Sequence, residues 1–189
     1  MHDTTTIGGF TIPSSDPLFL GIVAIHVLLG IAAAVAGLVA MLSVKAPGRH
    51  PRAGTWYFWV LASLFVTATM LSVMRWAHAY HLFVIGAFAL AAAIVGREAR
   101  RRRVRGWVRL HIAGMGSSYV LMFVAFYVDN GKQLPPLSHL PPWTYWALPI
   151  SIGVPPIIRA LLRHPLVRGA GRPASTGQAE RTDSGASQK

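Results

Sequence analysis

The sequence predicts an all-α multipass transmembrane helical bundle of five spans, with the N-terminus outside and the C-terminus cytoplasmic. Three observations predict it. The chain is 53% hydrophobic and only 13% charged, where a soluble domain carries about 25% charged residues. Its apolar residues gather into five runs of near-spanning length. Its basic residues fall in alternate connections between those runs.

The elements follow in order. Residues 1–17 form an extracytoplasmic segment with no basic region of the kind a cleavable signal carries. The first span is expected over 18–44, which holds one histidine and no charge. The second covers 55–74, the third 79–95, the fourth 108–128 and the fifth 143–162. A spanning helix needs roughly 20 mainly apolar residues, so the third and fifth rely on flanking aromatic residues to complete the crossing. Trp56, Tyr57, Trp59, Trp76, Tyr80, Tyr127, Trp143, Tyr145 and Trp146 stand at run ends, where rings with one polar edge anchor at the headgroups. The fifth run contains Pro149, Pro155 and Pro156, so a kinked or broken helix is expected. The connection GKQLPPLSHLPPW reads as a stiff, extended lid. RWAHAYH, residues 75–81, reads as the short outer turn between the second and third spans. Residues 163–189 are poor in apolar side chains and read as a disordered cytoplasmic tail.

Charge sets the orientation. All but two of the 18 Lys+Arg lie in the first connection, the third connection or the tail. Arg75 and Lys132 are the exceptions. Basic residues concentrate on the cytoplasmic side of short loops, which places the protein in a cytoplasmic (inner) membrane, N-terminus out. REARRRRVRGWVR, within the Arg97–Arg109 loop, is then a topology determinant that touches anionic lipid. No nucleic-acid module accompanies it, so no nucleic-acid partner is expected. With no cysteine and only 6 Asp+Glu, the chain offers no thiolate site and no paired carboxylates. Hydrolytic chemistry has little to work with.

The histidines carry what functional signal there is, because ionisable residues at membrane depth usually face a bundle interior. His26 lies roughly 12 Å below the outer end of the first span, and His81 roughly 3–6 Å below that of the third. A b-type haem needs two axial histidines at similar depth on different helices. His26 and His81 come closest, with Arg75 placed to neutralise a propionate. His78 and His81, three apart, could hold a metal, with Asp129 as the one nearby carboxylate. His111, Gly114 and Ser118 form a polar stripe on the fourth span, suited to tight packing or to lining a small cavity, with Ser117 and Tyr119 beside it. His111 itself pairs with the Arg-rich loop or with His50. Small residues at Gly30/Ala34, Ala33/Gly37, Ala89/Ala93 and Ala92/Gly96 give close-packing faces.

Several stretches together are similar to the bacterial membrane proteins grouped as the domain-of-unknown-function 2306 family. They are a histidine in the first span, GRHPRAGTWYFW, RWAHAYHLFVIG, HIAGMGSSYVLMFVAFYVDNGKQLPPL and LPPWTYWALPISIGVP. The resemblance covers roughly residues 18–162. It is most specific at His50 to Gly54, at His111 with Gly114 and Ser118, and at Asp129-Asn130-Gly131 followed by Leu134-Pro135. Here Pro51 separates the His and Arg that stand together in the family pattern. The resemblance implies a small multipass inner-membrane protein and supplies no reaction.

Two functional classes follow. One is a non-enzymatic protein that binds or moves a small solute or serves as an accessory subunit, alone or in a homo- or hetero-oligomer, with histidines tying helices together. It is favoured, because two histidines on facing helices at matched depth are not assured. The other is a haem b redox protein ligated by His26 and His81.

Overall fold

The computed structural model describes residues 5–7, 10–12 and 16–164. Five helices, each long and apolar enough to cross a membrane, make up nearly all of it. They are α1 (Pro17–Leu42), α2 (Arg49–Met74), α3 (Trp76–Arg102), α4 (Trp107–Asn130) and α5 (Thr144–Arg163). Two short strands, β1 (Thr5–Ile7) and β2 (Phe10–Ile12), pair antiparallel ahead of α1. The tail beyond residue 164 lies outside the described residues.

Local chemistry sets each helix end. Asp16 accepts a hydrogen bond from Leu18 N at 2.9 Å, and Pro17 opens α1 where its missing N–H costs nothing. At the other end Lys45 Nζ donates to the carbonyls of Ala40, Met41 and Ser43. These are carbonyls that a terminating helix leaves over. Gly48, at φ 119°, makes the turn into α2, a backbone region glycine enters without strain. α2 therefore starts six residues before the expected span, with Pro51 tolerated in its first turn.

The turn between α2 and α3 is shorter than its sequence suggests. Arg75 alone separates α2 from α3, at φ −136° and ψ 41°. Its carbonyl accepts from His78 N and Ala79 N, so RWAHAYH is helical from Trp76 onward. Ser72 Oγ donates to Ala79 O at 3.3 Å across the corner. α3 runs on past its apolar run to Arg102, its last turn carrying Arg100, Arg101 and Arg102. Cations there are favoured by the helix dipole.

Two further expectations are corrected. The proline-rich connection is folded rather than extended. It continues α4 as a 3₁₀ turn (Gly131–Gln133), and Tyr145 OH donates back to Leu137 O at 3.0 Å. α5 is not broken at its prolines: it is continuous through Pro149, Pro155 and Pro156, and membrane helices tolerate proline.

The helices pack in chain order, most extensively along the α1–α2 and α3–α4 seams. The α3–α4 seam is a backbone-to-backbone approach. A methyl group on Gly114 would sit 2.6 Å from Ala92 O and 2.7 Å from Gly96 N. α1 uses Ala33 and Gly37, both buried, and a methyl on Gly37 would collide with the Tyr119 ring. The interior cluster joins Ala33, Tyr57, Leu61, Leu64 and Ala93. Tyr57, expected at the headgroups, is thus a core residue at 2% exposure, and Tyr145 is buried as well. The outward faces carry Leu28, Ile31, Val35, Phe88 and Ile152 fully or half exposed. Such a continuous apolar exterior is a lipid-contacting surface, and the chain is a multipass membrane protein.

Gly114→Ala should lower the thermal unfolding midpoint in detergent, at an overpacking cost of about 1–3 kcal/mol. Gly54→Ala, where a methyl meets nothing within 4 Å, should leave it unchanged or slightly higher. Equal midpoints for Gly114→Ala and the parent would count against the close seam.

Candidate functional site

The basic end of the bundle gathers the most chemistry. His50 stands in the first turn of α2 and His111 in the second turn of α4, both half-buried. His50 Nδ1 lies 2.8 Å from Ala40 O of α1, and His111 Nδ1 lies 2.9 Å from Gly96 O of α3. A carbonyl oxygen only accepts, so in both rings Nδ1 carries the proton. In the neutral imidazole Nε2 is then the basic nitrogen, and no hydrogen bond reaches either Nε2 among the described residues. The ring centroids are 6.3 Å apart and the planes meet at 86°. The sequence reading paired His111 with His50 or with the Arg-rich loop, and the structure brings it to His50.

Two turns further along, the same two helices meet again. Tyr57 OH and Ser118 Oγ are 2.9 Å apart in a buried contact. Ser118 Oγ donates to Met115 O at 2.8 Å, so its oxygen accepts from the tyrosine. Both contacts join residues 61 apart in sequence. α2 and α4 therefore run parallel in a constant register across the bundle interior. Tyr119 OH donates to Ala34 O at 2.9 Å and ties α1 to the same layer.

Cations surround the pair. Lys45 and Arg100 both lie close enough to interact electrostatically with His50 and His111. Partial desolvation holds the Lys45 ammonium below the ordinary lysine value. Arg97, next to Gly96, lays its guanidinium over Phe58 at 4.2 Å and Trp59 at 5.3 Å. Its Nη1 is buried and has no hydrogen-bond partner. Glu98 is taken by Arg101 and Arg102 in exposed ion pairs at 3.6 and 2.9 Å. An open groove of about 450 Å³, walled by Leu38, Val39, Leu42, Pro47 and Arg49, lies at the same corner.

The residues singled out from the sequence fall elsewhere. His26 faces α2, with Nδ1 2.9 Å from Thr67 Oγ1. Thr67 Oγ1 donates to Leu64 O, so the histidine is the donor of that bond. His81 packs edge-on to Tyr80 and interacts electrostatically with Asp129 of α4. His26 and His81 thus sit on different seams, and the structure records no contact between them. Arg75 reaches over the Phe19 ring at 5.6 Å. His78 and His81 share α3, but His78 is exposed and His81 half-buried. Among the described residues no three His, Cys, Asp or Glu side chains gather to hold a metal. Gly114 and Ser118 are buried in helix contacts.

The sequence reading had His50 only as a partner for His111, Tyr57 only as an interface anchor, and Lys45, Arg97 and Arg100 only as connection charges that set orientation. One signal was available: His50 and Tyr57 on one helix repeat the spacing of His111 and Ser118 on another. No protein family, curated protein or solved structure matches the chain.

Ser118→Ala should cost more stability than Tyr57→Phe. The first leaves the tyrosine hydroxyl buried without its partner, at roughly 1–3 kcal/mol, while the second leaves Ser118 bonded to Met115 and costs roughly 0.5–1.5 kcal/mol. Thermal unfolding of the two variants side by side reads the order.

Proposed function

We propose that this is a non-enzymatic membrane protein that binds a small ligand at the His50–His111 end of the bundle, as a solute-binding or accessory component. One observation carries the reading. Two imidazoles on different helices are locked by backbone carbonyls into the tautomer that leaves both Nε2 atoms basic and unpartnered. His26 bonds a threonine hydroxyl on its own seam, whereas His50 and His111 each bond a backbone carbonyl of a neighbouring helix and stand ring to ring. Anchoring one nitrogen on a carbonyl and leaving the other free is how proteins present histidine to a ligand.

The basic end faces the cytoplasm of a bacterial inner membrane in this proposal, and residues 97–109 rest on anionic lipid there. The resemblance to the domain-of-unknown-function 2306 family supports the same setting.

Native mass spectrometry of the full chain, extracted from membranes in mild detergent, tests the binding reading. An adduct retained by the parent and by His139→Ala, but lost from His50→Ala and His111→Ala, is the expected result. A bare parent protein counts against it. Orientation has a separate test. The chain has no cysteine, so single cysteines at Lys132 and Arg101 can be labelled in intact cells without background. A membrane-impermeant maleimide should reach the first and not the second.

A further inference from the structure

We infer that the ligand held between His50 and His111 is a haem, bound through both imidazoles; the inference rests on the ligand-binding reading above. The separation is the first argument. An imidazole nitrogen sits roughly 2.0–2.1 Å from a bound metal and about 1.1 Å from its own ring centre, so two rings on opposite sides of one metal place their centroids about 6.2–6.4 Å apart. The observed separation is 6.3 Å. An edge-to-face contact between two aromatic rings also falls in this distance range, so the distance alone does not decide.

The protonation pattern is the second argument. A ring-on-ring contact asks nothing of Nδ1, whereas a ligating histidine donates its other nitrogen to a carbonyl or carboxylate, which fixes the ring and raises the basicity of the free nitrogen. Both rings do this, on two different helices.

The surrounding charge is the third argument, and it selects among ligands. A bare divalent cation would suit the two Nε2 atoms but would enter a cluster of Lys45, Arg100 and the N-terminal end of α2 with no acidic group beside the rings among the described residues. A simple anion would suit the cations but would meet two basic nitrogens. A metal carried inside an organic frame with carboxylate arms satisfies both demands. The corner also has room. Gly54, one turn beyond His50, faces open space, where an added methyl meets nothing within 4 Å. The chain's own residues would hold the iron through His50 and His111, with Arg100 the cation beside both rings to meet a carboxylate. The group itself would supply one-electron chemistry at the membrane face.

The test uses the full chain in detergent, titrated with haemin and read by visible absorption and by electron paramagnetic resonance. A sharpened Soret band at one haem per chain, with a low-spin ferric signal, is expected. A high-spin signal, or haemin that stays free, overturns the inference. His50→Ala and His111→Ala should weaken binding at least tenfold, whereas His26→Ala and His81→Ala should not. Unchanged binding in the first pair overturns the site. His111→Met keeps a ligand and the helix, so a shifted Soret band there supports ligation even if the alanine variants fold poorly. Haem and ligand binding fail separately. A colourless protein that still retains a different adduct, dependent on His50 and His111, overturns the haem and leaves the binding site. A protein that retains no adduct overturns both.

Discussion

The close approach of α3 and α4 at Gly96 and Gly114 is the contact on which the rest of the bundle depends. Helices among lipid associate through contact area and interhelical hydrogen bonds rather than through the hydrophobic effect. Two glycines facing each other let the backbones come near enough for a third effect. The Gly96 carbonyl lies within reach of His111, three residues before Gly114 on the opposing helix. The carbonyl then decides which nitrogen of His111 holds the proton. A side chain on either glycine would separate the helices and release the imidazole from that choice. Packing and protonation state are one constraint at this point.

A second layer of the same design runs across the interior. His50 and Tyr57 on α2 meet His111 and Ser118 on α4 at one fixed offset. The Tyr57–Ser118 bond is enclosed on all sides, while the histidine pair sits at the rim, half accessible. The enclosed bond holds the register and the rim pair inherits it. Polar groups buried in this way cost free energy unless they are matched, and here each hydroxyl has its acceptor. α1 joins through Tyr119 and Ala34, and through the bond from His50 to Ala40. Four helices therefore converge on the two imidazoles by side chain or carbonyl.

The helices themselves could be read from the sequence, because a run of apolar residues has few other fates. Their ends were less visible. α2 and α3 extend beyond their apolar runs because backbone hydrogen bonds do not stop where hydrophobicity does, and Arg97 to Arg102 continue a helix whose dipole favours them. Tyr57 looked like an interface anchor because it opens the second apolar run together with Trp56 and Trp59. Only the three-dimensional face, set by Ser118 sixty-one residues away, turns it inward. The site was misplaced for a related reason. Depth along each helix is readable from residue counts, but azimuth is not. His26 and His81 matched tolerably in depth while facing Thr67 and the α4 seam respectively. His50 falls in the connection before the expected second span, yet the helix begins just before it.

The single-residue link at Arg75 has a consequence for how this protein is made. A loop of several residues would let α2 and α3 enter the bilayer one after the other, each found acceptable alone. With only Arg75 between them, and its carbonyl already bonded to the first turn of α3, the two helices form one stiff hairpin. It has no slack in which to pause half inserted. The hairpin is thus a unit of biogenesis as well as of structure, and the translocation machinery would handle its fifty or so residues as one object.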